Sequence, residues 1–139
     1  MRHESLADAV WRDLSRIVLD GKDTWRRAVV ERTGLPFSRI RILKRLGDGP
    51  LTVKQVAEAV TVDAPAATVA VNDLEDRGLV VREVDPNNRR SKLVSLTDAG
   101  RDLLVQIDAV ADPAPRSLAA LPERDLRALR VILIRIANG

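Results

Sequence analysis

Residues 85–100, DPNNRRSKLVSLTDAG, pass from a run of turn formers through an alternating stretch to the start of a helix. Asp85, Pro86, Asn87 and Asn88 all favour a turn, Leu93 to Leu96 continue as a strand, and Thr97 is placed to cap the helix that follows. The segment just before it, LVVREV at residues 79–84, reads as the outgoing strand. The whole is a β-hairpin with Arg89 and Arg90 at its tip. Most exposed charge pairs belong to solvated loops, whereas a projecting arginine pair also suits a finger that reaches phosphate or a DNA groove.

Working outward, the stretch LTVKQVAEAV, residues 51–60, offers Thr52 as a helix cap with Gln55 three residues on, a capping-box spacing that turns Val53, Val56, Ala57 and Val60 inward. In the next stretch, TVDAPAATVAVNDLEDRGLV, Asp63 is a second cap and Pro65 lies in the first turn. Ala67, Val71 and Leu74 form the inward face, and Gly78 is the stop. Two short helices joined by a tight turn, followed by a hairpin, make a winged helix-turn-helix. Towards the N-terminus, Ser5 caps a long helix with apolar residues at Leu6, Val10, Leu14, Ile17 and Val18, and more loosely at Trp25, Ala28 and Val29; Gly21 is a candidate bend and Gly34 the end. Pro36 opens FSRIRILKRL, in which Phe37, Ile40, Leu43 and Leu46 share a face, and Gly47 to Pro50 form a turn. The helix after Thr97 meets Asp112, Pro113, Ala114 and Pro115, where two prolines must kink or restart it.

Composition narrows the class. A chain of 139 residues, 45% hydrophobic, suits one compact unit with a real core. The formal charge is +3 and the isoelectric point about 9.9, with arginine much preferred over lysine, a balance compatible with a polyanionic partner. Without cysteine there is no disulfide, thiol switch or thiolate metal site, and a single His3 near the terminus makes a histidine metal site implausible. No cofactor is expected. The start of the chain lacks a signal-peptide core, and no apolar run is long enough to span a bilayer, so a cytoplasmic protein without membrane contact is expected. There is no Gly-rich phosphate loop, cysteine nucleophile or internal histidine base, so an enzyme is not expected.

The run GPLTVKQVAEAVTVDAPAATVAVNDLEDRGLVVREVDPNNRRSKLVSLTDAGRDLL resembles the MarR family of bacterial transcription regulators. Its most specific pieces are LEDRGLVVR, DPNNRR and VSLTDAG in that order and spacing; the tail LPERDLRALRVILIRIA is similar to the family's last helix. The likeness implies a mainly α protein with a small β-hairpin wing. Its expected parts are a winged helix-turn-helix at residues 36–100, a linking helix at 97–111, and dimerisation helices at 1–33 and 112–139. It also implies a homodimer on a pseudo-palindromic double-stranded DNA operator, with the helix starting at Asp63 in the major groove and the wing in the adjacent minor groove. Many members release DNA on binding small aromatic or anionic molecules, so a repressor of this kind is the expectation. The match carries minor-groove insertion onto Arg90 and a phosphate contact onto Arg89. It departs at Asn88, where the family commonly has an aspartate that steadies the arginine two residues on.

The residues themselves bear on the same points. In VILIRI, Val131 to Ile136, apolar side chains spread around the helix, so a partner chain is needed to cover them; a fully buried monomer helix is the competing reading. The outward face of the second short helix offers Ala64, Pro65, Ala66, Thr68, Val69 and Asn72, suited to methyl contacts with thymine, Asn72 with adenine, and Thr68 with bases or phosphate. That helix carries Asp63, Asp73, Glu75 and Asp76 but no basic residue up to Asp76. Electrostatic anchoring must then come from Arg89, Arg90 and Lys92 on the wing, with Arg39, Arg41, Lys54 and Gln55 as further candidates. Arg82 reads as a partner for Asp85. Trp11, Trp25 and Phe37, the only aromatics, are the candidates to line an effector site. The acidic helix keeps open a second reading, a winged-helix protein that has lost specific DNA binding and works through protein contacts.

Overall fold

The computed structural model describes residues 3–139. Its elements are α1 (Leu6–Thr33), α2 (Phe37–Leu46), β1 (Leu51–Thr52), α3 (Val53–Val60), α4 (Ala64–Asp76), β2 (Val80–Asp85), β3 (Asn88–Leu96), α5 (Asp98–Asp108), α6 (Arg116–Ala119) and α7 (Glu123–Asn138). They fall into two compact units. One is Thr24–Ala111; the other combines the chain up to Asp23 with Asp112–Gly139.

In the unit Thr24–Ala111, α2, α3 and α4 pack around a core with a three-stranded antiparallel sheet of order β1-β3-β2. Ile40, Leu43 and Leu46 of α2 are buried as their spacing predicts, as are Val56, Ala57 and Val60 of α3 and Ala67, Val71 and Leu74 of α4. Val53 and Phe37 are only partly buried against that core. Thr52 caps α3 in a reciprocal capping box: its hydroxyl accepts from the Gln55 N–H and the Gln55 side-chain Oε1 accepts from the Thr52 N–H, at 3.1 and 2.9 Å. The turn into α4 closes through Thr61, which adopts a left-handed φ of 58°, while the Val62 N–H reaches back to the Ala57 carbonyl at 3.0 Å. Asp63 then caps α4, accepting from the Ala66 N–H at 2.8 Å.

The sheet is larger than the hairpin expected. Leu51 and Thr52 pair with Val94 and Leu93, adding β1 beside β3. Two residues are too few for alternation to register as a strand in sequence, and one of them, Thr52, doubles as the N-cap of α3. The hairpin itself is in register from Val80↔Leu96 to Val84↔Lys92 and is irregular beyond Val84. Pro86 and Asn87 alone form the turn, so Arg89 and Arg90 begin the return strand rather than occupying the tip.

The sequence SLTDAG is explained by one junction. Thr97 caps α5 by accepting from the Gly100 N–H at 3.1 Å, and its own hydroxyl donates to the Gly78 carbonyl at 2.6 Å. Gly78 ends α4 with a φ of 75°, the conformation that glycine adopts without steric cost. Thus one threonine ties the start of α5 to the end of the helix-turn-helix.

In the other unit, Ser5 and Asp8 cap α1 reciprocally, and hydrogen bonds from Ser5 hold the Asp8 carboxyl below the usual carboxylate range. α1 runs through Gly21 as one helix. The chain does restart after the prolines: α5 ends at Asp108, Pro115 precedes α6, and Pro122 precedes α7. Lys22 pairs with Asp112, and Pro115 lies against Gly21. Every buried apolar residue of the described chain lies between Val29 and Ile107, and none belongs to this unit. The side chains of Val131, Ile132, Leu133, Ile134 and Ile136 on α7 are 43–62% exposed.

Candidate nucleic-acid interface

Burial of Ala67, Ala70, Val71 and Leu74 leaves the opposite face of α4 in solvent. Ala64, Pro65, Ala66, Thr68, Val69 and Asn72 are all exposed on it, as helical periodicity requires. Val69 is 62% exposed, an apolar side chain held out in water among small neighbours. Thr68 donates its hydroxyl to the Ala64 carbonyl at 3.0 Å, leaving its methyl and an oxygen lone pair outward.

Two of the acidic residues of α4 are neutralised by arginines. Asp73 accepts from Arg39 Nε at 3.0 Å and from Arg77 Nε at 3.2 Å, and these two bonds, Arg39's first, hold its carboxyl below the usual range. Glu75 accepts from Arg82 Nη2 at 3.1 Å and is likewise lowered, chiefly by that hydrogen bond, with Lys92 adding a weaker attraction. Asp63 is occupied as a cap. Arg82 therefore pairs with Glu75 and with the Asn72 side chain, not with Asp85 as its sequence position suggests. The acid it meets is across the fold on α4, whereas the Asp85 side-chain oxygen accepts from the Asn87 N–H at 2.9 Å and shapes the turn. Arg39, a candidate phosphate anchor by sequence, is committed to Asp73, and the Gln55 side chain to its capping box. Of these pairs only Asp73–Arg77, at i,i+4 on one helix, carries a sequence signal.

The wing keeps its cations available. Arg89, Arg90 and Lys92 are exposed, and among the described residues neither Arg89 nor Arg90 makes an ion pair. Asn88 accepts from the backbone N–H of Arg90 at 3.2 Å and donates to Ser91 Oγ at the same distance. It thus orders the backbone at Arg90 through a neutral contact. β2 packs against α4 and pairs with β3, so the exposed helix face and the basic strand start belong to neighbouring elements of one unit.

The aromatics separate. Trp25 and Phe37 meet edge to face with centroids 5.7 Å apart, Lys44 Nζ lies 4.9 Å from the Trp25 ring centre, and the Arg26 guanidinium lies 4.8 Å from that of Phe37. Trp11 belongs to the other unit, where it is exposed. Among the described residues no group of acids or histidines is placed to hold a metal ion, and no helix is long and apolar enough to cross a membrane.

A helix-turn-helix with a three-stranded wing and an outward-facing second helix is the fold of a winged-helix transcription regulator. The model of the MarR family matches residues 33–91. An uncharacterised HTH-type transcriptional regulator of Bacillus subtilis (strain 168), YwhA, is 34% identical over 68 residues, which cover 49% of this chain and 48% of that protein. The match thus spans about half the length of that curated relative. A probable transcriptional regulator from Pseudomonas aeruginosa is similar over 88% of this chain and 95% of its own, with 31% identity and a TM-score of 0.61. CouR from Rhodococcus jostii RHA1, solved with p-coumaroyl-CoA bound, is 29% identical over 97% of this chain and 96% of its own, with a TM-score of 0.68. Residues 33–91 thus match the MarR family of regulators, and over nearly its whole length the chain is similar to a probable transcriptional regulator.

Proposed function

We propose that the protein is a cytoplasmic, homodimeric DNA-binding repressor: α4 enters the major groove, the wing anchors in the adjacent minor groove, and a small molecule releases the complex. The reading is carried by the exposed, uncharged face of α4 beside a wing on which Arg89 and Arg90 are exposed and, among the described residues, make no ion pair. Methyl groups, a hydroxyl and an amide there suit base edges, while Arg89, Arg90 and Lys92 supply the phosphate and groove contacts. The alternative, loss of DNA binding, drew its force from four acids on α4. Asp73 and Glu75 are each neutralised by arginine and Asp63 is a cap, which leaves Asp76 as the one acid of the helix not engaged in these contacts.

The dimer reading is supported by the unit in which, among the described residues, no apolar residue is buried. Fully burying a Leu or Ile side chain contributes about 1.5–3 kcal/mol, so the half-exposed series on α7 is a large stabilisation left for a second copy to supply. Two-fold pairing would set two α4 helices roughly 34 Å apart, one DNA turn, matching a pseudo-palindrome. Binding of a small-molecule effector is supported by CouR, which was solved with p-coumaroyl-CoA bound. Here Trp25 and Phe37, flanked by Lys44 and Arg26, pair aromatic surface with positive charge. Sedimentation of the full chain at micromolar concentration tests the assembly: a single species of twice the 15.3 kDa chain mass is expected, and a stable monomer would overturn the dimer.

A further inference from the structure

We infer that Asn72 reads its base as a hydrogen-bond donor alone, because Arg82 holds its carbonyl oxygen, and that the base selected at that position is guanine. The inference rests on the proposed entry of α4 into the major groove. A guanidinium has five N–H donors and no acceptor, so the atom of Asn72 that meets Arg82 Nη2 must be Oδ1, and the orientation of the amide is fixed by chemistry. Arg82 is held in turn by Glu75, with Nη2 at 3.1 Å from Oε1 and Nε at 3.4 Å from Oε2. Its side chain is 24% exposed, so strand β2 presents this donor to the helix from a partly buried seat. Among the described residues the Asn72 Nδ2 group has no acceptor, and the residue is exposed.

An asparagine that reads adenine needs both amide atoms, Oδ1 to accept from N6 and Nδ2 to donate to N7. That is the contact expected of Asn72 from sequence, and the Arg82 bond takes one of the two Oδ1 lone pairs and draws that oxygen towards β2, so adenine N6 has to compete for it. With Nδ2 alone pointing outward, the matching edge is one with neighbouring acceptors, and guanine offers N7 and O6 side by side. Adenine sets its own N6 donors against the amide donors. Arg82 is therefore a positioning residue: it touches no base and sets which base Asn72 accepts.

The test is selection of duplexes from a randomised library by the full-length protein and by variants. The position read by Asn72 is the one whose preference disappears in Asn72→Ala. Wild type is expected to select guanine there. Arg82→Met, which keeps the aliphatic stem and removes the donors, should shift the guanine-to-adenine ratio about tenfold towards adenine. Should that variant fail to fold, Asn72→Asp keeps an acceptor for Arg82 and lacks the donor, so it should lose the guanine preference. Glu75→Gln weakens the ion pair but keeps the Arg82–Asn72 bond, and it should retain guanine whatever happens to its melting temperature. A motif with any base other than guanine at the Asn72 position overturns this inference and leaves DNA binding by α4 standing. Failure of wild type to enrich any sequence overturns both.

Discussion

A Cβ placed on Gly100 would lie 2.1 Å from the Leu79 carbonyl oxygen and 3.3 Å from a methyl of Leu96. The same carbonyl accepts from the Thr97 N–H at 3.1 Å, so it cannot move aside without loosening the bond that holds Thr97, the cap residue of α5, in place. Gly100→Ala is therefore expected to destabilise the Thr24–Ala111 unit by about 1–3 kcal/mol through overpacking, read as a lower urea midpoint at unchanged slope. An unchanged midpoint would mean that α5 is free to shift from the sheet. Single residues also account for the charge pattern of α4. Its acids look hostile to DNA in sequence, yet Arg39, Arg77 and Arg82 turn two of them into hydrogen-bonded struts behind the exposed face.

Among the elements, the wing depends on how Asn88 and the irregular pairing beyond Val84 present Arg90. Narrow A·T-rich minor grooves concentrate negative potential and favour an inserted guanidinium. Arg90→Ala should accordingly weaken binding roughly tenfold at operators with A·T-rich flanks and much less with G·C-rich flanks, with fold and assembly retained. Equal losses on both, in anisotropy titrations on two operators that differ only in flanks, would make Arg90 a phosphate contact. The helices were legible because caps such as Thr52, Asp63 and Thr97 are local and apolar spacing reports burial directly. Strand β1 was not, since its two residues are defined by partners 41 to 43 positions away. For the same reason the sequence points Arg82 to Asp85, three residues along, whereas its acid is on another element. Side-chain pairing across the fold leaves no periodic trace in one sequence, whereas the exposed face of α4 does.

At the scale of the whole molecule, the two units have different needs. Thr24–Ala111 holds every buried apolar side chain of the described residues, while the segments around it carry exposed Leu, Ile and Val on α1 and α7. That division suits a chain in which a self-sufficient reading unit is doubled by helices that fold fully only against a second copy. The central claim, sequence-specific DNA binding by such a dimer, is tested most directly by anisotropy titration of the full chain. The titration uses a pseudo-palindromic duplex and a scrambled duplex of equal composition, repeated from low to high salt. Two protomers per duplex are expected, with an affinity for the palindrome at least about a thousandfold above that for the scrambled sequence. A log–log salt slope of roughly −5 is also expected if the two protomers together neutralise about six phosphates. Equal affinity for the two duplexes at every salt concentration would contradict the claim.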